Sequence, residues 1–171
     1  SWFRDAGCHN LLDVGSGAGK FCIVTSLASG CGTQGIEQRD HLVDAACVAA
    51  ATYEASATFA HGTIEVVDPD GFDAFYFYNP FGENNYDSGE RLDGLVELSE
   101  ARCLRDVATS EAWLDRADTG TCALTYHGFG GRIPDTYDLV RSLDMHHGEL
   151  HLWTKHRSGR ATGFHLELGE L

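Results

Sequence analysis

The residues best placed to do chemistry stand near the start of the chain. There Asp13-Val14-Gly15-Ser16-Gly17-Ala18-Gly19 ends one apolar run and opens another of helical character. Glycines at such a junction take backbone angles closed to other residues and let a ligand approach the main chain. Their spacing selects among ligands. A phosphate-binding P-loop needs a glycine five positions before its Gly-Lys pair and Ser or Thr after it, and Val14 and Phe21 hold those positions around Gly19-Lys20. A dinucleotide fingerprint begun at Gly15 would place its last glycine at position 20, which is Lys20. ATP or GTP chemistry is set aside, and an NAD(P)-dependent oxidoreductase is kept as a second reading.

Other groups bear on chemistry less directly. Nine histidines raise the question of a metal, but His146-His147 and His151 flank Gly148 and are expected to cross from a helix end into a strand. That crossing spoils a one-face ligand pair, so no metal is expected. Tyr126-His127-Gly128-Phe129-Gly130-Gly131-Arg132 is either a wall of a substrate pocket or a glycine-rich loop shaped for backbone turns alone. The acidic run Glu83-Asn84-Asn85-Tyr86-Asp87-Ser88-Gly89-Glu90 suits a cationic substrate or a plain solvated loop.

These residues need elements to position them. Leu11 to Val14 reads as a strand, the glycine turn follows, and Phe21 to Ala28 reads as a helix. Thr33 to Glu37 is a second strand and Asp40 to Tyr53 an alanine-rich helix with Asp40 as its N-cap. Ala57 to His61 is a third strand, and Phe72 to Tyr78, the most apolar run, suits a strand covered on both faces. A long helix over Asp93 to Ala117 and a fifth strand over Thr121 to His127 come next. Pro134 to Leu143 reads as one more helix. Glu149 to His156 and Ala161 to Leu168 read as an antiparallel pair joined at Arg157-Ser158-Gly159-Arg160. Alternating strands and helices imply one α/β sheet with helices on both faces, whose ligands bind beyond the C-terminal strand ends.

Composition narrows the partners. With 43% hydrophobic and 22% charged residues, a chain of 171 residues forms one packed domain and is too short for two. No apolar run approaches the roughly 20 residues of a membrane span, so no membrane partner is expected. Six scattered cysteines without a C-x-x-C pair read as reduced thiols of a cytoplasmic protein. Twelve Lys and Arg against 26 Asp and Glu, a net charge of −14, work against gripping a phosphate backbone; a nucleic-acid substrate would need another domain or subunit to hold it. The opening Ser1 and the late onset of strand-like sequence suggest that N-terminal elements are missing.

The glycine turn with the acid before it resembles motif I of the class I S-adenosylmethionine-dependent methyltransferases, and the order of strands and helices does so along nearly the whole chain. The resemblance implies a Rossmann-like, doubly wound, mostly parallel seven-stranded sheet with an antiparallel C-terminal strand pair. It implies S-adenosyl-L-methionine as cofactor and a methyl-acceptor substrate whose class the sequence does not name. Gly15, Ser16, Gly17 and, more loosely, Gly19 would back the methionine part, and Asp13 would hold its amino group directly or through water. Glu37, at the end of the second strand, would accept hydrogen bonds from the ribose hydroxyls. Gln38, Gly62 and Thr63 would border the adenine, although the family commonly carries an acid where Thr63 stands.

Asn79-Pro80-Phe81-Gly82 resembles, with one proline fewer, the Asn/Asp-Pro-Pro-aromatic motif of the amino-methylating members. By that resemblance Asn79, Pro80 and Phe81 are the catalytic residues, with Asn79 at the cofactor as well: Asn79 accepts from the target amine, Phe81 stacks on a planar substrate, and the acceptor leans to nitrogen. A strand end with Phe81 packed inside is the alternative. A non-catalytic cofactor-binding subunit is a third reading beside the methyltransferase and the oxidoreductase.

Overall fold

The computed structural model describes residues 2–156. Seven strands form one sheet: β1 (Asn10–Val14), β2 (Gly32–Glu37), β3 (Ala57–His61), β4 (Ala74–Tyr78), β5 (Cys122–Tyr126), β6 (Tyr137–Met145) and β7 (Gly148–Lys155). Their order is β3-β2-β1-β4-β5-β7-β6. The first five run parallel, and β7 pairs antiparallel with both β5 and β6. The helices are α1 (Trp2–Asp5), α2 (Lys20–Ser29), α3 (Asp40–Thr52) and α4 (Glu100–Arg116). Two 3-10 turns, Ile64–Val66 and Pro69–Gly71, fill the connection from β3 to β4.

Period-2 alternation sorts the strand side chains between two cores. Leu12, Val14, Phe75, Phe77 and Ala123 pack under Trp113 and Leu114 of α4. Leu11, Ala74, Tyr76 and Leu124 face the other way, with Phe3 of α1 and Phe21 of α2. The Phe21 ring stacks on Tyr76 with centroids 3.5 Å apart. Each large side chain so buried contributes about 1.5–3 kcal/mol relative to exposure. Lys155 is also buried, and its Nζ donates to the carbonyls of Leu114 and Asp115 at 2.7 and 2.6 Å. It thereby satisfies carbonyls that the last turn of α4 leaves unpaired.

Three boundaries differ from the sequence reading. Pro134 to Leu143 is not a helix: Tyr137–Met145 is the edge strand β6, whose backbone pairs with β7 from Tyr137↔Lys155 to Met145↔Gly148. The antiparallel pair described is thus β6 and β7. The expected strand Ala161–Leu168 and the turn Arg157–Arg160 lie outside the described residues. Helix α4 begins at Glu100 rather than Asp93, because the Ser99 hydroxyl accepts the Arg102 N–H at 3.2 Å and caps it there, while Asp93 is held by Arg39. Arg39, not Asp40, is the N-cap residue of α3; the Asp40 carboxylate accepts the His41 N–H at 2.7 Å instead.

All six cysteines are free thiols. No helix among the described residues is long and apolar enough to cross a membrane.

Candidate cofactor site

β1 lies between β2 and β4, so the chain leaves the C-terminal ends of β1 and β4 toward opposite faces, and a crevice opens there. A cleft of about 440 Å³ occupies it. Gly15 and Gly17 line one wall, Glu37 and Gln38 the end of β2, Gly62 and Thr63 the turn after β3, and Asn79, Pro80 and Phe81 the turn after β4. A second hollow of about 390 Å³ lies against Asp13, Ser16, Phe21 and Tyr76. Gly15 and Tyr78 border both hollows. All but one of the residues expected at a cofactor are therefore at this crevice.

Gly19 is the exception and lines neither hollow. A Cβ on it would stand 2.4 Å from the Phe59 ring and 2.8 Å from Ala46 Cβ, so this glycine lets the start of α2 pack on β3 and α3. The structure thus gives Gly19 a packing role. Gly15 is different: its φ is +73°, its N–H donates to the Ile36 carbonyl at 3.0 Å, and a Cβ would meet Pro80 Cβ at 3.0 Å. The glycine turn and the Asn79-Pro80 turn are thus in close approach.

Glu37, 6% exposed, joins β2 to the glycine turn. Its Oε2 accepts the Gly17 N–H at 3.0 Å and its Oε1 the Arg39 N–H at 3.0 Å. Each oxygen keeps a further lone pair. Asp13, 3% exposed, accepts from the Cys22 thiol at 3.5 Å. Burial pushes its carboxyl up to about 7, the thiol opposing the shift and the charge of Glu37 adding to it.

At the ends of β4 and β5 two residues other than glycine adopt left-handed backbone, Asn79 at φ +41° and His127 at φ +58°. The Asn79 N–H donates to the Gly128 carbonyl at 2.9 Å, which ties the two turns together. Asn79 itself is exposed. Phe81 is not: it is 6% exposed and packs in the core beneath α4, where its carbonyl accepts from Asn84 Nδ2 at 3.0 Å. The ring expected to stack on a planar substrate is thus turned inward. The rings beside Asn79 belong instead to Tyr78, 56% exposed, with Tyr126 at 5.0 Å and His127 at 5.8 Å between centroids. Tyr126 and His127 belong to the segment read as either a pocket wall or a plain loop; Tyr78 has no part in that reading, although the alternation of Ala74-Phe75-Tyr76-Phe77-Tyr78 puts both tyrosines on one face. Gly128, Phe129 and Gly131 border a separate hollow with His151 and Trp153.

Among solved structures, an RNA methyltransferase from Salinibacter ruber, crystallised with S-adenosyl-L-homocysteine, is 16% identical with a TM-score of 0.62 over 90% of this chain and 87% of its own. A putative methyltransferase from Escherichia coli is 15% identical with a TM-score of 0.58 over 92% and 81%. An O-methyltransferase of neocarzinostatin biosynthesis, crystallised with S-adenosylmethionine and a naphthoic acid, is 14% identical with a TM-score of 0.59, over 88% of this chain and 50% of its own. No protein-family model and no curated protein sequence matches the chain. The fold is that of the class I S-adenosylmethionine-dependent methyltransferases.

On this methyltransferase fold the cleft carries a strap that the sequence did not reveal. Arg39, buried behind Glu37, donates from Nε to Asp93 at 3.0 Å and from Nη2 to Glu83 at 2.8 Å. Glu83 Oε1 also accepts the Leu92 N–H at 2.7 Å. Burial alone would lower the Arg39 pKa, but the two carboxylates outweigh it and hold the guanidinium above its ordinary range. The acidic run is thus partly spent on an internal cation, and Tyr86, Glu90 and Leu92 of the strap line the cleft. His146 and His147 sit in the turn between β6 and β7, not at a helix end. Among the described residues no group of three His, Cys, Asp or Glu could hold a metal ion.

Proposed function

We propose that the chain is an S-adenosylmethionine-dependent methyltransferase whose cofactor lies with its nucleoside in the larger hollow and its methionine part in the smaller. The observation that carries this reading is that the two hollows meet at Gly15 and Tyr78, with Glu37 in one and Asp13 in the other. The residues fit the group: the side of Gly17 is open, with no atom within 4 Å of an added Cβ, and Glu37 retains acceptor capacity beyond its two backbone partners.

In this reading Glu37 accepts from the ribose hydroxyls, Gln38, Gly62 and Thr63 border the adenine, and Gly15, Ser16 and Gly17 back the chain of the cofactor. Asp13 takes the amino group. The cofactor supplies a methyl group on a positively charged sulfur, and its transfer is a direct displacement that rests mainly on alignment. Asn79, an exposed residue, provides that alignment, its Oδ1 accepting an N–H of the acceptor, which is why we read the acceptor as nitrogen. Pro80 fixes the turn against Gly15, and Phe81 holds it from the core side. Tyr78 and Tyr126 shield the approach from water. The neighbours act on or bind chemically different partners, an RNA in one case and a naphthoic acid in another. The fold therefore leaves the acceptor class open.

Calorimetric titration with S-adenosylmethionine, S-adenosylhomocysteine and NAD tests the reading. Micromolar binding of the first two, lost in Glu37→Ala, supports it. Preference for NAD, or binding of none of the three, overturns it.

A further inference from the structure

The cleft contains a carboxylate that the reading above leaves without a role. Asp106 of α4 lines it together with Thr63, Ile64 and Phe81, and is 4% exposed. Its Oδ2 accepts from Arg102 Nε at 2.8 Å, whereas its Oδ1 is buried with no hydrogen-bond partner among the described residues. Burial raises the pKa of this carboxyl against the pull of Arg102. A buried carboxylate oxygen left unpaired is costly, so this one calls for a partner from outside the chain, and its place on the cleft wall makes a ligand donor a candidate for it.

The other carboxylates of the cleft do not offer the same thing. Glu37 is engaged by two backbone N–H groups, and Glu83 by Arg39 and the Leu92 N–H. Glu90 is exposed on the strap. The cleft that Asp106 lines also presents the buried apolar side chains of Ile64 and Phe81, 3% and 6% exposed. A group that suits this corner is flat, apolar on its faces, and donates an N–H from its edge.

We propose that Asp106 selects the base of the bound nucleoside, its Oδ1 accepting from the exocyclic amino group of adenine while Arg102 holds the carboxylate in place. The inference rests on the nucleoside lying in the larger hollow. It assigns base recognition to the helix after β4 rather than to the turn after β3, where Thr63 has no carboxylate to give.

The test compares S-adenosylhomocysteine with S-inosylhomocysteine, in which a carbonyl oxygen replaces the amino group, by calorimetry on the wild-type chain, Asp106→Asn and Glu37→Gln. The wild type is expected to prefer the adenine compound by about 10- to 100-fold, the range of a hydrogen bond to a buried charge. In Asp106→Asn the amide oxygen stays with Arg102 and the amide N–H faces the ligand, so the preference is expected to invert. Glu37→Gln is expected to weaken both compounds alike and leave their ratio unchanged. Equal binding of the two by the wild type overturns the proposal without any variant, as does an unchanged ratio in a folded Asp106→Asn; in both cases the nucleoside reading survives. Binding of neither compound overturns both.

Discussion

Glu37 Oε2 and the Gly17 N–H are 3.0 Å apart, so the last residue of β2 and the middle glycine of the turn after β1 are joined through one side chain. A residue proposed to hold ribose thus also shapes the turn proposed to back the cofactor. Glu37→Ala leaves the buried N–H of Arg39 and the part-buried N–H of Gly17 without their acceptor and is expected to lower stability by about 1–3 kcal/mol. Glu37→Gln keeps one acceptor and should fall between wild type and Ala in urea denaturation. Equal stability of all three proteins would show that these bonds are replaced by water.

Asp13 makes stability depend on pH. Its folded pKa is raised from 3.8 to about 7, so the folded state favours the neutral carboxyl. Its contribution is complete below about pH 4 and is lost as pH rises to about 7, with a total on the order of 4 kcal/mol. Asp13→Asn should flatten the denaturation midpoint across that window, and a slope unchanged by the substitution would place the titration elsewhere.

Arg39 holds the strap, and its replacement should loosen it. Arg39→Met leaves Glu83 and Asp93 without their buried partner and is expected to cost about 2–3 kcal/mol, below the range for fully buried pairs because both acids are partly exposed. Chymotrypsin should then cut at Tyr86 or Leu92 several-fold faster than in the wild type. A cutting rate that does not change would mean that the strap is held by other contacts.

Asn79 separates backbone from side-chain effects. Its φ of +41° suits Gly, so Asn79→Gly should keep the fold while Asn79→Ala loses about 1 kcal/mol to strain. Both variants should keep cofactor affinity and lose about 100-fold in turnover, followed as S-adenosylhomocysteine release with acceptor supplied, if alignment is the role of the amide. Turnover near the wild-type rate would remove Asn79 from the reaction.

Lys155 anchors the far end of α4. Lys155→Met keeps the volume of the side chain but leaves the Leu114 and Asp115 carbonyls without their donor, and should lower the thermal midpoint by an amount equivalent to about 1–3 kcal/mol. Retention of the wild-type midpoint would mean that those carbonyls find solvent.

Local pattern made the first half of the fold legible. β1 to β4, α2 and α3 announce themselves because burial on one or two faces leaves a periodic trace, and Gly15 and Glu37 fall at strand ends where the order of elements puts a ligand. β6 was misread because it is an exposed edge: only Tyr137 is buried along it, and the irregular register between Leu139 and Arg141 breaks what alternation remains. Phe81 and Tyr78 exchanged roles for a reason the alternation of β4 contained, but which a short motif reading passed over. Arg39, Asp93 and Asp106 were beyond local reading. Their significance lies in partners that only the folded chain brings within hydrogen-bond distance.

Tyr78 and Tyr126 are register partners across β4 and β5. Their spacing is accordingly set by the main-chain ladder itself, about 4.8 Å per strand, and not by how loops settle. If an acceptor approaches Asn79 as proposed, it meets a threshold with a fixed gauge, so its fit is tuned by exchanging those two side chains rather than by altering the distance between their backbones.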